Sequence, residues 1–149
     1  MSTTTDYEIE RDILIEAPVE VVWRTVTEPD QMTRWFADEV DLTVEPGAHG
    51  YLGFGEQGGG PVVVEAVEPP TRFTFRWNHP AGEDPTPSNS LLVEFTLTPE
   101  GEHTRLRVTE GALSTLERPD IDNAKYADEH THGWGVFLER LAGAVAEPA

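Results

Sequence analysis

The chain contains no cysteine and only one lysine, and it has no long apolar run. Without cysteine it can form neither a disulfide nor a thiolate metal site, and it needs no oxidising compartment. No apolar stretch approaches the roughly 20 residues that cross a bilayer. The first residues, MSTTTDYEIERD, are too polar and acidic for a secretory signal. We therefore expect a soluble, cytoplasmic protein.

Positive charge is scarce, because ten basic residues face 28 acidic ones and the net charge is −18. Such a charge repels phosphate backbones and anionic lipid heads, so we expect neither nucleic acid nor a membrane as a partner. All the basic residues except Lys125 are arginine, which is typical of a GC-rich genome, and we expect a bacterial source. The net charge thus argues against nucleic acid and membrane partners, but it does not indicate a function.

The length and composition predict one domain. The chain has 149 residues, of which 38% are hydrophobic and 9% aromatic, and this is enough for a single packed core. We assign residues 7–146 to this domain and expect residues 1–6 to form a disordered tail. No repeat and no low-complexity segment divides the chain further.

The first part of the domain reads as a strand that runs into two short helices. Ile9, Ile13 and Ile15 share one face of an extended segment, because side chains alternate along a strand. Pro18 lies where the first helix is expected to begin. Thr27 and Asp30 have the residue types and spacing of a capping box that would begin the second helix.

Six more strands are predicted between residues 38 and 108, followed by a long helix over residues 121–145. In the clearest strand, residues 71–78, aromatic side chains alternate with polar ones, so three aromatic rings point to one side. The helix has an apolar stripe at three- and four-residue spacing that Gly133 and Gly135 interrupt. Glycine is unfavourable within a helix, and we therefore expect close packing against the sheet there.

Five sequence blocks in this order resemble one known family. They are APVEVVW (17–23), RWF (34–36), PG (46–47), VEPPTRFTFRW (67–77) and HGWGVFLERL (132–141). The chain resembles the homologues of the activator of the heat-shock-protein-90 ATPase, within the START-like SRPBCC superfamily. One departure is the segment TEGAL (109–113), where relatives carry a His-Ser-Gly-Phe-like turn, so no role of that histidine is transferred.

The resemblance implies an α+β helix-grip fold. In this fold, which birch-pollen-allergen-like proteins share, a curved antiparallel sheet of about seven strands wraps around a long C-terminal helix, with two short helices after the first strand. The resemblance also implies a hydrophobic cavity between sheet and helix. It implies no defined reaction, because carriers, cyclases, hydrolases and co-chaperone domains share this scaffold.

Aromatic side chains on the inward face of the sheet are the candidate ligand contacts, since ligand cavities are mostly apolar. The expected cavity lining is Trp35, Phe54, Phe75, Trp77, Phe95, Trp134 and Leu138. Each of these side chains could equally be part of a filled core. The glycine- and proline-rich segments 56–61 and 79–89 are the expected gates of the cavity.

Catalytic and metal motifs are weak in the sequence. No serine lies in a Gly-x-Ser-x-Gly motif, and no glycine-rich segment continues into a phosphate-binding loop. His130 and His132 lie too close along a helix to share a face, so the acidic and histidine-rich stretch 128–132 is interpreted as a polar helix surface rather than a metal site. Arg11 shares the parity of the inward isoleucines. It could meet a ligand carboxylate, but we expect it to extend to solvent at the sheet edge.

We therefore predict binding of a small hydrophobic or aromatic molecule, without a cofactor or metal and without catalytic residues. Two alternatives remain open. A polyketide cyclase or aromatase would need a polar group in the cavity, for which the candidates are His49, Tyr51, Tyr126 and His130. A co-chaperone-type module would need a protein-binding surface. The protein partner is unknown, and a homodimer is left open.

Overall fold

The computed structural model describes residues 8–80, 82–111, 116–118 and 121–146. Within them, seven strands and three α-helices follow one another in the predicted order. The N-terminal half contains β1 (Ile9–Ile15), α1 (Val19–Thr27), α2 (Pro29–Trp35), β2 (Glu39–Asp41), β3 (His49–Gly53) and β4 (Gly59–Glu68). The C-terminal half contains β5 (Arg72–Trp77), β6 (Leu91–Glu100), β7 (His103–Gly111) and α3 (Asn123–Ala146).

All seven strands form one antiparallel sheet in the order β1-β7-β6-β5-β4-β3-β2. The first and last strands of the chain's β region are thus neighbours, and α3 packs across the inner face against β1, α1 and α2. The register of β4 shifts between Val64 and Ala66, which is the signature of a β-bulge that bends the strand. This architecture is the predicted α+β helix-grip fold.

The core lies between the curved sheet and the three helices. The strict alternation in β6 and β7 buries every second side chain, as expected for a sheet that is covered on one face. Trp35 closes the core from α2, and its indole N–H donates to the carbonyl of Thr25 at 2.7 Å. A buried indole needs such a partner, and this bond therefore fixes α2 against α1.

The start of α2 differs from the prediction of a capping box. The helix begins at Pro29 after Glu28, and no side chain caps it. Thr27 is instead the last residue of α1, and its hydroxyl donates to the carbonyl of Trp23 at 2.8 Å. The hydroxyl is therefore bonded within the preceding helix, and Pro29 begins α2 without a donor to be capped.

Two further expectations concern the N-terminal tail and segments that could cross a membrane. The expected disordered tail, residues 1–6, lies outside the described residues. In the described part of the chain, no helix is both long and apolar enough to cross a membrane.

Candidate functional site

A cavity of about 380 Å³ opens at one end of the sheet beneath α3. Its wall combines aromatic and aliphatic side chains with glycines and three polar residues: Leu52, Phe54, Gly58, Gly59, Gly60, Pro61, Val62, Trp77, Asn78, Glu129, His130, Gly133, Trp134 and Phe137. The volume falls in the range of small-molecule sites in proteins.

Three of the seven predicted lining residues, Phe54, Trp77 and Trp134, lie in the wall of this cavity. The other four are packed in the core and do not line it: Trp35, Phe75, Phe95 and Leu138, none more than 2% exposed. The predicted gate at residues 56–61 contributes Gly58 to Pro61, at the start of β4, to the cavity wall. None of the described residues of the second predicted gate, 79–89, is in the wall, but Asn78, which directly precedes it, is.

Phe36 lies at the centre of an aromatic cluster that includes three side chains of the cavity wall, Trp77, Trp134 and Phe137. Its ring is 5.5 Å from Trp134, 5.8 Å from Trp77 and 5.2 Å from Phe137, measured between ring centroids. These separations suit stacked and edge-to-face ring pairs. Because Phe36 follows α2 directly, that short helix positions a ring against three side chains of the wall.

Glu110, on β7, is the centre of the polar part of the site. Its side chain is fully buried, and four side chains surround its carboxylate. Oε1 lies 2.9 Å from Nε1 of Trp134 and 2.9 Å from Nδ1 of His130. Oε2 accepts from Nε1 of Trp77 at 2.7 Å and from the hydroxyl of Tyr126 at 2.5 Å. This dense set of partners compensates for the loss of water around the carboxylate.

The direction of these hydrogen bonds follows from the carboxylate. The hydroxyl of Tyr126 donates to Oε2. An ionised carboxylate can only accept, and in that form its partner Nδ1 of His130 is the nitrogen that carries the proton. The same hydroxyl oxygen accepts from Nδ2 of Asn78. Burial, and then the adjacent charge of Glu110, raises the pKa of Tyr126 far above its usual range. Tyr126 therefore keeps its proton and remains a donor.

His130 is held from two sides. Its ring stacks on that of Tyr126 with a centroid distance of 3.7 Å and an interplanar angle of 18°. Trp77 meets it edge to face at 6.1 Å. The side chain is 30% exposed and forms part of the cavity wall. With Nδ1 bonded to Glu110, Nε2 is the ring nitrogen that remains for another partner.

Sequence reasoning missed Glu110, although the signal was present. Thr104, Leu106 and Val108 alternate inward along β7, and the same parity continues to Glu110. A carboxylate on an otherwise apolar face is unusual enough to mark a site. Phe137, one helical turn after Gly133 on α3, was also missed.

Of the four polar candidates for an enzyme, the structure brings Tyr126 and His130 together. His49 and Tyr51 lie on β3, outside the cavity wall, and Tyr51 is 41% exposed. His79 is buried in the loop after β5, and burial, then the proximity of His49, lowers its pKa. Among the described residues, no group of three or more acidic or histidine side chains could hold a metal ion.

The two helix glycines differ in their surroundings. A Cβ at Gly135 would lie 2.6 Å from Nη2 of Arg11, so α3 approaches β1 closely there, as predicted. A Cβ at Gly133 would meet nothing within 4 Å, because Gly133 faces the cavity. The expectation of close packing was therefore wrong for Gly133. Arg11 reaches α3, and it is not part of the cavity wall.

Residues 117 and 118 hold the loop that follows β5. Nη1 of Arg118 donates to the carbonyl of Asn78 at 2.6 Å and to that of Asn89 at 3.2 Å. The amide of Glu117 donates to the carbonyl of Ser88 at 2.7 Å. Asn78, which has a φ of 63°, thus joins the loop to the cavity.

A curved antiparallel sheet that wraps a long helix, with a cavity between sheet and helix, defines a START-like helix-grip protein. The chain belongs to the family described as "Activator of Hsp90 ATPase homolog 1-like protein", which matches residues 16–146. This confirms the resemblance on which the fold prediction rested. A comparison with curated proteins gave no match.

Similar solved structures extend over most of the chain. DynU16, a protein of the dynemicin biosynthetic locus, is 28% identical with a TM-score of 0.76; the match covers 94% of this chain and 47% of DynU16. The chain thus spans about half the length of DynU16. MLL2253 from Mesorhizobium loti is 26% identical with a TM-score of 0.78, covering 95% and 98% of the two chains. The Aha1 dimer from Colwellia psychrerythraea shares the fold at 21% identity, with a TM-score of 0.74 and coverage of 93% and 95%.

Proposed function

We propose that the chain binds a small hydrophobic or aromatic molecule in the cavity beneath α3. The observation that carries this proposal is the wall itself, in which Phe54, Trp77, Trp134 and Phe137 surround an open space of about 380 Å³. A filled core would leave no such space, since protein interiors pack at nearly crystalline density.

Burial of the ligand would supply most of the binding energy. Apolar surface removed from water contributes about 25 cal/mol per Å². Ring pairs with the wall add about 0.5–1.5 kcal/mol beyond burial. Planar aromatic molecules gain both contributions, the burial of apolar surface and the pairing of rings.

The relation to DynU16 agrees with a small-molecule function, because that protein is described as part of a biosynthetic locus. We keep a cytoplasmic location as part of the proposal, since the sequence has no cysteine. A homodimer also remains a proposal. The related Aha1 from Colwellia psychrerythraea is described as a dimer.

An enzyme of the cyclase or aromatase kind is the second candidate, and the group around Glu110 favours it. A carboxylate that orients a histidine through Nδ1 leaves Nε2 as a general base toward the cavity. Tyr126 adds a hydroxyl beside it. A substrate whose acidic proton comes within about 3 Å of Nε2 could be deprotonated there.

A co-chaperone-type interaction receives less support from the described surface. The large hydrophobic side chains exposed there are Leu14 and Tyr51, at 40% and 41%. They lie on β1 and β3, which have four other strands between them in the sheet order. They therefore do not form a continuous apolar patch of the kind that marks a protein interface.

The test is native mass spectrometry of the freshly purified protein beside the variant Gly133→Leu. Leucine at this position would project into the cavity without meeting the backbone, and it favours the helix over glycine. We expect the native chain to retain extra mass that denaturation releases, and the variant to be equally stable or more stable but free of that mass.

Gly143→Leu is the matched control, because Gly143 lies on the same helix, faces open space and is outside the cavity wall. It should retain the ligand. Where the purified protein has lost its ligand, quenching of tryptophan fluorescence by added aromatic molecules replaces the mass as the readout. Equal binding by Gly133→Leu and the native chain would contradict the cavity as the binding site.

A further inference from the structure

Two glycines of the cavity wall, Gly60 on β4 and Gly133 on α3, leave space where other residues would place a side chain. A Cβ at either position would meet nothing within 4 Å, and both residues line the cavity. Gly60 lies opposite Leu52 in the pairing of β3 with β4, and residues that face each other across an antiparallel pair share one face of the sheet. Leu52 is buried, so a side chain at position 60 would project from the inner face of the sheet, the side on which α3 packs.

The neighbouring positions on the same faces do carry side chains. Val62, the next residue of the same parity on β4, is buried. On α3, residues three and four positions from Gly133 lie on its face of the helix, and they also line the cavity: Glu129, His130 and Phe137. The open space of about 380 Å³ is thus bordered by two rows of side chains that each lack one member, one row on the sheet and one on the helix.

The fold does not require glycine at either position. Gly58 has a φ of 90°, which other residues rarely adopt, and a Cβ at Gly59 would lie 2.5 Å from the carbonyl oxygen of Leu52. Gly60 and Gly133 have neither a positive φ nor a close neighbour. Glycine also weakens a strand or a helix relative to residues that favour these elements. The consequence of these two glycines that the structure shows is therefore the space in the cavity.

We propose that Gly60 and Gly133 determine the size of the ligand, and that a fused ring system lies against the bare backbone at both positions. This inference rests on the proposed function and names the residues that set its size limit. Glycine lets a ligand approach the backbone closely, because no Cβ intervenes. A cavity of about 150 Å³ suffices for benzene. The cavity of about 380 Å³ therefore has room for more than one ring, and a fused ring system can extend to both glycines.

The experiment compares 4-methylphenol, 2-naphthol and 9-phenanthrol, which carry one hydroxyl each on one, two and three aromatic rings. Isothermal titration calorimetry measures their affinities for the native chain and for the variants Gly60→Val and Gly133→Leu. In the native chain, the affinity should rise with each ring, because each ring adds buried apolar surface. In either variant, the preference for 9-phenanthrol over 4-methylphenol should fall by about tenfold or more, since a side chain then occupies space that the larger ring system needs.

Smaller substitutions and thermal stability provide two further readouts. Gly60→Ala and Gly133→Ala should reduce the preference less, because a methyl group fills less of the space. Gly60→Val and Gly133→Leu should each have a Tm at least equal to that of the native chain, since valine favours a strand and leucine a helix over glycine.

Two control variants add bulk to the same elements outside the cavity wall. Gly143→Leu adds a leucine side chain to α3 at a position where a Cβ would meet nothing within 4 Å. Val63→Leu adds a methylene group to β4 on the opposite face from Val62. Both variants should keep the preference of the native chain.

The outcomes separate this inference from the proposed function. An unchanged preference in Gly60→Val or Gly133→Leu would overturn the inference and leave the cavity as a binding site. A Tm well below that of the native chain in either variant would also overturn it, because the fold would then require that glycine. Where a retained ligand blocks the probes, Gly60→Val should lose the retained mass, and full retention would overturn the inference. If no probe binds the native chain and native mass spectrometry shows no retained mass, the proposed function falls and the inference falls with it.

Discussion

At the scale of single residues, one carboxylate organises the site. Glu110 is fixed within the sheet by backbone pairing of β7 with β1 and β6, opposite Ile9 and Val93. Its position cannot shift without moving three strands. The side chains of Trp77, Tyr126, His130 and Trp134 all converge on this one carboxylate.

Tyr126 makes the protein sensitive to alkaline pH. Its pKa is raised in the folded chain, so its contribution to stability is complete below the pKa of an unfolded tyrosine, about 10, and is lost as the pH rises above it. We expect the free energy of unfolding to fall above about pH 10, and to fall less in Tyr126→Phe. Urea denaturation followed by circular dichroism at several pH values measures this.

The exposed Tyr51 supplies the control for this experiment. Tyr51→Phe should leave the alkaline profile of the native protein unchanged, because its ring is 41% exposed. Near neutral pH, Tyr126→Phe should already be less stable by about 1–3 kcal/mol, since Glu110 loses a donor while buried. An alkaline profile that is identical in Tyr126→Phe and the native chain would contradict the assignment.

The sequence predicts which face of the sheet a side chain lies on better than it predicts whether that side chain is packed in the core or lines the cavity. Alternation along β5 places Phe73, Phe75 and Trp77 on one side, and this is where the structure has them. Of these three, only Trp77, at the end of the strand, reaches the cavity, because Phe36 packs against Phe75 in the middle of the strand. Which inward residue meets empty space depends on how the helices cover the sheet, and alternation carries no information about that.

At the scale of elements, α3 has two functions along its length. Around Gly133 it forms the roof of the cavity, and at Gly135 it approaches β1 closely enough for contact with the guanidinium of Arg11. Two residues that are two positions apart on a helix point in different directions. Gly133 can therefore face the cavity while Gly135 faces Arg11 of β1. From the sequence alone, the two glycines could not be distinguished, and close packing was expected at both.

Gly135→Ala tests the contact between α3 and β1. Alanine favours the helix by about 1 kcal/mol over glycine, but its Cβ would displace the guanidinium of Arg11. We therefore expect Gly135→Ala to stabilise the protein more in an Arg11→Ala background than in the native chain. A double-mutant cycle measured by urea denaturation gives the coupling energy.

Gly143→Ala is the reference for helix propensity alone, since its Cβ would meet nothing within 4 Å. It should stabilise equally in both backgrounds. An identical effect of Gly135→Ala with and without Arg11 would show that the guanidinium does not restrict α3.

The order of elements was predictable because each has a strong period or a clear turn signal. Alternation identifies the strands, and a three- and four-residue stripe identifies α3. The start of α2 was less predictable. The hydroxyl of Thr27 could cap α2 or donate to a carbonyl within α1. Which of the two occurs depends on where α1 ends before Pro29.

At the scale of the whole molecule, the net charge of −18 acts on stability rather than on the cavity. Ion pairs on the outer face of the sheet, such as Arg76 with Glu65 and Arg72 with Glu94, neutralise only part of it. The remaining acidic groups repel one another in the compact state. Repulsion between acidic groups therefore lowers the stability of the folded state, and added salt can screen this repulsion.

Added sodium chloride should raise the Tm of this protein. The Debye length falls from about 10 Å at 0.1 M to about 3 Å at 1 M, and screening of the acidic surface is nearly complete there. We expect Glu139→Gln to raise the Tm in low salt and to lose this advantage in high salt. Differential scanning fluorimetry across a salt series measures both, and a Tm that falls with salt in the native chain would contradict the self-repulsion.

The arrangement around Glu110 also orders events during biosynthesis. Of its four partners, only Trp77 precedes it in the chain, whereas Tyr126, His130 and Trp134 are on α3. A ribosome therefore releases the sheet with this carboxylate still lacking three of its donors. The partners of Glu110 and the part of the cavity wall that α3 contributes are therefore complete only once the last helix has been translated.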